Sequence, residues 1–190
     1  MKDLNQLLLN FKQNQNFNYN DFYVSKSNYY AFQLIEKWPK WEKNILNICG
    51  EKYSGKTHLS NIFLNKNGGI KVDEKLIYSI FNLADQDNKY LIINSINPIN
   101  EIDFKLNDLK SRSKNCLFAQ IENPDDELMF AIILKSFSDR QIQIDKKLID
   151  FITKRIDRSY GKIADFIYKV DELSLKKRKA IDLKTIKEIL

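Results

Sequence analysis

The residues best equipped for chemistry form one stretch, Gly50-Glu51-Lys52-Tyr53-Ser54-Gly55-Lys56-Thr57. It fits the phosphate-loop pattern G-x-x-x-x-G-K-[ST] at every fixed position. Gly50 and Gly55 let the backbone curl so that successive N–H groups face one anion. The following helix adds its positive end. Lys56 would reach the outer phosphates, and the Thr57 hydroxyl would bind Mg²⁺. The pattern needs a strand before it and a helix after it. Ile45-Leu46-Asn47-Ile48-Cys49 is an apolar run fit for a buried parallel strand. Leu59, Ile62 and Phe63 recur at helical spacing. A chance match in a surface turn would not bring both flanks with it. The chemistry predicted is nucleotide binding.

Hydrolysis needs more. A phosphate-loop ATPase uses an apolar strand ending in one or two acids, which hold the Mg²⁺ shell and polarise water. Here the strand at 90–93 ends in Asn94-Ser95, and Asp73-Glu74 follows the short polar run Ile70-Lys71-Val72. Asp85 and Asp87 read as a turn. Turnover by this chain alone is therefore not expected.

Around the loop, the chain reads as an α/β unit followed by helices. Ser27 is a candidate cap for a helix carrying Tyr30, Ala31, Leu34 and Ile35 on one face, ended at Trp38-Pro39. Helical spacing recurs over 74–84, and Leu106–Lys114 reads as a short polar segment. Strands are expected at 45–49, 90–94 and 117–121, and helices at 124–138, 145–157, 160–174 and 182–190. Asn123-Pro124-Asp125-Asp126-Glu127 reads as a helix start with Asn123 as cap. Residues 1–16 carry an apolar island, Gln6 to Phe11, before a polar spacer. Docking elsewhere and folding back onto the domain are both open for it.

Of the 190 residues, 43% are hydrophobic, enough for a core. No apolar run approaches a membrane span, and no secretory signal is visible. Cys49 and Cys116 read as buried free thiols, which points to the cytoplasm. The net charge of +6 permits nucleic-acid contact without demonstrating it, and Lys176-Lys177-Arg178-Lys179 reads as a solvated loop.

Several of these features together resemble a known family. Phe22-Tyr23-Val24, Ser27-Asn28, Trp38-Pro39, the loop with His58-Leu59, Leu109-Lys110-Ser111-Arg112 and Asn123-Pro124-Asp125-Asp126 are similar to the AAA+ domain of the DnaA-related proteins. The likeness is greatest to their Hda type, in the form found in alphaproteobacteria. It runs over nearly the whole chain. Gln6-Leu7-Leu8-Leu9-Asn10-Phe11 is similar to the peptide by which many proteins bind the bacterial sliding clamp.

The resemblance implies a fold and a function. The fold is a phosphate-loop AAA+ domain with a small, shortened parallel sheet over 17–122, then an all-α four-helix lid over 123–190. Residues 1–16 would be a flexible tail carrying the clamp peptide. The nucleotide, ADP or ATP with Mg²⁺, would be held by residues 50–57 with His58, Phe22, Val24, Asn94 and Lys162. Gln6, Leu7, Leu9 and Phe11 would contact the β clamp of DNA polymerase III. Arg112 would reach into the ATP site of a neighbouring DnaA and promote hydrolysis there. The whole would be a regulatory inactivator of replication initiation, without sequence-specific DNA binding or membrane attachment, and with self-association left open.

Three departures stand against the family pattern. Against the family, the stretch between Leu64 and Leu76 is short by some tens of residues, and the acidic metal-binding strand goes with them. The strand-end position holds only Asn94-Ser95. The lid arginine of the family falls near Gly161-Lys162, where lysine lacks the guanidinium fork. The alternative reading is a stand-alone ATPase or small kinase. A DNA-binding module would rest on net charge alone.

Overall fold

The run Ile45–Cys49 becomes the central strand, β1, of a three-stranded parallel sheet in the order β2-β1-β3, with β2 at Leu91–Ser95 and β3 at Leu117–Gln120. This computed structural model describes residues 17–67, 81, 89–104, 107–177 and 182–190. The apolar island at 6–11, the helical pattern over 74–84 apart from Phe81, and the basic cluster at 178–179 lie outside the described residues, as do Asp73, Asp85 and Asp87. Ile45 stands opposite Leu91, and Leu46 opposite Leu117. The strands expected from sequence are present in one contiguous sheet, each within a residue of its expected bounds.

Successive side chains of a strand face opposite ways. Leu46 and Ile48 pack with Ala31, Leu34 and Ile35 of α1 (Tyr29–Lys37) and with Leu59, Ile62 and Phe63 of α2 (Lys56–Asn67). Ile45, on the other face, packs with Phe81, Ile99 and Leu109 of α3 (Asn107–Lys114). The segment expected to be merely polar is thus a helix, held by Leu109 and the buried Ser113. Asn47 breaks the apolar pattern yet is fully buried. Its amide donates to Ile93 O and Ser95 Oγ, and its Oδ1 accepts from Ile99 N at 3.0 Å. A buried amide with these bonds made carries little of the desolvation penalty of an orphaned one.

The C-terminal helices build a second core. Met129, Ile133 and Phe137 of α4 (Asp126–Asp139) meet Ile149 and Ile152 of α5 (Lys146–Thr153), Ile163, Phe166, Ile167 and Val170 of α6 (Tyr160–Lys177), and Ile186 of α7 (Leu183–Ile189). Leu128 and Tyr160 instead join the core of the sheet region, so they tie the helical region to it.

Four local readings are corrected. Ser27 does not cap α1; its hydroxyl bonds to Ser25 and Asp125, and Asn28 precedes the helix without a side-chain cap bond. Tyr30 is exposed rather than on the buried face. Asp125, not Asn123, caps α4, accepting from Leu128 N at 2.8 Å. The helix expected over 145–157 stops at Thr153, with Lys154 as its C-cap, although Ile156 beyond its end still packs against the helical core. The two cysteines are not disulfide-bonded; Cys49 is buried and Cys116 half-buried.

Candidate phosphate-binding site

The sheet sends the end of β1 into the loop beneath the start of α2. Gly50 lies against the backbone of Ile121, where a Cβ would come within 3.0 Å of the carbonyl oxygen. Its N–H donates to the carbonyls of Ser95 and Ile96. Three residues of the loop have positive φ: Gly50 at 153°, Tyr53 at 70° and Gly55 at 91°. Glycine adopts such values freely, whereas a tyrosine does so only at a cost. A Cβ on Gly55 would meet the Phe22 ring at 3.2 Å. The curled backbone that the pattern demands is therefore present, and it is tightly enclosed.

Lys56 lies across this curl. Its ammonium donates to Gly50 O at 2.8 Å and Glu51 O at 2.7 Å, with Ser54 Oγ at 3.5 Å. Burial pushes its pKa down, while Cys49 and the Glu51 carboxylate support the charge. Thr57 is exposed in the first turn of α2, and its carbonyl accepts from Asn61. Among the described residues, no three His, Cys, Asp or Glu side chains cluster as metal ligands. The residues fit a phosphate group; toward Mg²⁺ they offer the Thr57 hydroxyl, with further ligands to come from the phosphates themselves.

The other predicted residues are distributed around the loop. Phe22 stacks on Phe32 and meets the edge of His58 at 5.2 Å, while His58 Nε2 pairs with Asn18 O. Phe22 also lines a cavity of about 1050 Å³ between residues 20–23 and helices α4 and α5. Val24 is half-buried in the same segment. Asn94, at the end of β2, exchanges hydrogen bonds with Ser60 of α2. Lys52 and Tyr53 stand exposed at the loop tip, the ammonium 4.9 Å from the ring centroid. Lys162 is exposed in the first turn of α6, its N–H turned to Ser159 Oγ. Arg112 lies on α3, its Nε donating to both Asp108 oxygens at 3.0–3.1 Å.

Glu51 does something its position in the pattern does not announce. Its carboxylate accepts from Ser159 Oγ at 2.6 Å, Tyr160 N at 2.9 Å and Gly161 N at 3.0 Å. Burial pushes the carboxyl up, but these bonds and the charge of Lys56 outweigh it and hold it below its ordinary value. Ser159 and Tyr160 were not among the residues predicted. The only signal for Ser159 is a hydroxyl at a helix start, since its oxygen also accepts from Lys162 N.

No protein-family model matches the chain. In sequence it is 29% identical over 122 residues to the chromosomal replication initiator protein DnaA of Chlorobaculum tepidum, a match covering 64% of this chain and 25% of that protein. The chain thus spans about a quarter of the length of that curated relative. In structure it superposes on domain III of the DnaA of Thermotoga maritima with a TM-score of 0.70 and 18% identity. That superposition covers 92% of this chain and 95% of the other. The fold is that of DnaA domain III. AMPPCP-bound DnaA from Aquifex aeolicus matches with a TM-score of 0.59 at 18% identity, over 84% of this chain and 68% of that one. DnaA-like architecture, with AAA+ topology and a parallel sheet, is therefore shared well beyond the loop. No helix among the described residues is long and apolar enough to cross a membrane.

Proposed function

We propose that the chain binds an adenine nucleotide at residues 50–57 and serves as a regulatory adaptor in replication initiation. The observation that carries the first half is the loop itself, curled at Gly50, Tyr53 and Gly55 with Lys56 across it, in a DnaA domain III fold. A DnaA of the same fold is described as bound to AMPPCP, which supports an adenine nucleotide, ADP or ATP, as the ligand. Phe22 and Val24 would flank it, and Thr57 would contribute to holding Mg²⁺, whose chemistry is to neutralise phosphate charge. In this reading the nucleotide is a structural ligand rather than a substrate.

The adaptor role rests on two features. Gln6–Phe11 would tether the chain to the sliding clamp through Leu7, Leu9 and Phe11, with the Gln6 amide at the pocket rim. Arg112 would act on ATP held by DnaA. Its pairing with Asp108 is an i,i+4 bridge, worth about 0.3–0.5 kcal/mol at such sites, so exchange for a phosphate is energetically open. A guanidinium brackets the charge on a transferring phosphoryl group, and arginines supplied in trans are worth about 10³–10⁵ in rate in well-studied GTPases.

The test has separable arms. ADP at a hundred times its Kd should stabilise the protein by about 2.7 kcal/mol, and Lys56→Ala should abolish this. Leu7→Ala with Leu9→Ala should lose the clamp and keep ADP. Arg112→Ala should keep both and lose stimulation of ATP hydrolysis on DnaA with DNA-loaded clamp. Steady ATP turnover by the chain alone, removed by Lys56→Ala, would favour the stand-alone ATPase or kinase instead.

A further inference from the structure

We propose that Glu51 is a latch through which the phosphate loop and the start of α6 respond to each other, fastened when the loop is free of phosphate and loosened when phosphate binds. The proposal rests on the nucleotide reading of the loop. One residue holds both partners. Its carboxylate takes Ser159 Oγ, Tyr160 N and Gly161 N, 108 to 110 residues further along the chain. Its main-chain carbonyl takes the Lys56 ammonium at 2.7 Å.

The contact is close-fitting. A Cβ on Gly161 would lie 2.9 Å from Glu51 Oε1, so the helix start accommodates the carboxylate through the missing side chain. A helix N-terminus carries unpaired N–H groups and partial positive charge, and an acid within the helix's own first turn commonly satisfies them. The first turn of α6 contains no acid. The phosphate loop supplies the carboxylate instead.

Phosphate binding acts on this arrangement twice. It draws Lys56 away from the carbonyls of Gly50 and Glu51, removing a cation that supports the Glu51 carboxylate. It also sets a second anion near that carboxylate, and like charges repel. Both effects weaken the hold on α6. Linkage makes the coupling reciprocal: whatever nucleotide does to the latch, the latch does to nucleotide affinity.

The experiment is amide hydrogen exchange at Tyr160 and Gly161, with and without ADP, alongside ADP affinity. In the wild type, ADP should speed exchange at both amides severalfold. Glu51→Gln removes the charge and should bind ADP about 3–10-fold more tightly, with no ADP-dependent change at those amides, a coupling within the usual allosteric range. Should Glu51→Gln fail to fold, Ser159→Ala carries the same test. It removes the bond to Glu51, together with the one from Lys162 N, and keeps the charge, so basal exchange should rise toward the ADP-bound level and ADP should add less. ADP binding with unchanged or slower exchange at Tyr160 and Gly161 would overturn the latch and leave the nucleotide reading standing, as would unchanged or weaker ADP affinity in Glu51→Gln. No ADP binding by the wild type would overturn the nucleotide reading, and the latch with it.

Discussion

The sheet region and the helical region each have an apolar core, and they differ in what is added to it. The helical region has an apolar core drawn from four helices, with Phe137, Ile149, Ile152 and Ile186 fully buried. Among the described residues the sheet region has three strands, packed into an apolar core that includes Leu46, Ile48, Leu59 and Phe63. Its central strand contains the buried Asn47, and its edge strand β2 is half-exposed along Leu91–Asn94. What the sheet region adds to its apolar core is polar order: Asn47 bonds across to Ser95 and Ile99, and Asn94 to Ser60. Directional bonds position atoms, whereas buried apolar area supplies stability. The phosphate loop grows from the region that has both. The two regions meet at Leu128, Tyr160 and Glu51, and through the pairs Ser27–Asp125 and Asp21–Lys135, a seam of mixed chemistry.

The largest expected effect would break the helical side of this comparison. Phe137→Ala removes a fully buried ring and should destabilise by about 3–5 kcal/mol. If the helical core stands apart, hydrogen exchange should speed first over 126–177 while Ile45–Cys49 stays protected. Simultaneous loss of protection in both would show that the two cores unfold as one unit.

How much of this was legible in the sequence follows from where the signals lie. The strand, loop and start of α2 are contiguous, so spacing alone announces them, and the structure keeps them within a residue or two. The start of α4 was legible as a helix start, but the cap fell on Asp125 rather than Asn123, because the Asp125 carboxylate also meets Ser27 from the sheet region. A propensity rule sees only neighbours in the chain. For the same reason Ser27 read as a cap although its hydroxyl is taken by Ser25 and Asp125. Glu51 was legible as a residue of the loop and no more, since its partners lie more than a hundred residues away. Tertiary partners decide what a polar side chain does, and one sequence does not list them.

A middle-sized effect sharpens the seam. The Tyr160 hydroxyl donates to Glu122 O at 3.1 Å, and burial raises its pKa to about 12. Tyr160→Phe keeps the ring in the core and loses that bond, which should cost about 1 kcal/mol near neutrality. The pH dependence has a definite sign. A raised folded pKa means that the stabilising contribution is complete below the unfolded value, about 10, and is lost as pH rises through about 12. Chemical denaturation between pH 9 and 12 should therefore show the difference between wild type and Tyr160→Phe shrinking toward the alkaline end. A constant difference across that range would mean that the hydroxyl titrates freely and does not help fasten the seam.

The smallest effect tests the loop alone. Tyr53 sits at φ 70°, exposed at the loop tip, and holds the curl at a position where the pattern permits any residue. A non-glycine residue in this region costs roughly 1–2 kcal/mol. Glycine would relieve that strain but gives up roughly 0.5–1 kcal/mol through its greater freedom in the unfolded chain. Losing the exposed contact between Lys52 and the ring subtracts about 0.5 kcal/mol at most. Tyr53→Gly should thus shift stability by something between about 0.5 kcal/mol destabilising and about 1.5 kcal/mol stabilising. Gly55→Ala should be clearly destabilising, because φ at 91° strains an alanine and its Cβ would press on Phe22 at 3.2 Å. Paired thermal melts of the two variants decide it. If Tyr53→Gly destabilises as much as Gly55→Ala does, the curl at 53 is held by the tyrosine ring rather than merely tolerated by it. The loop would then owe its shape to a side chain as much as to its glycines.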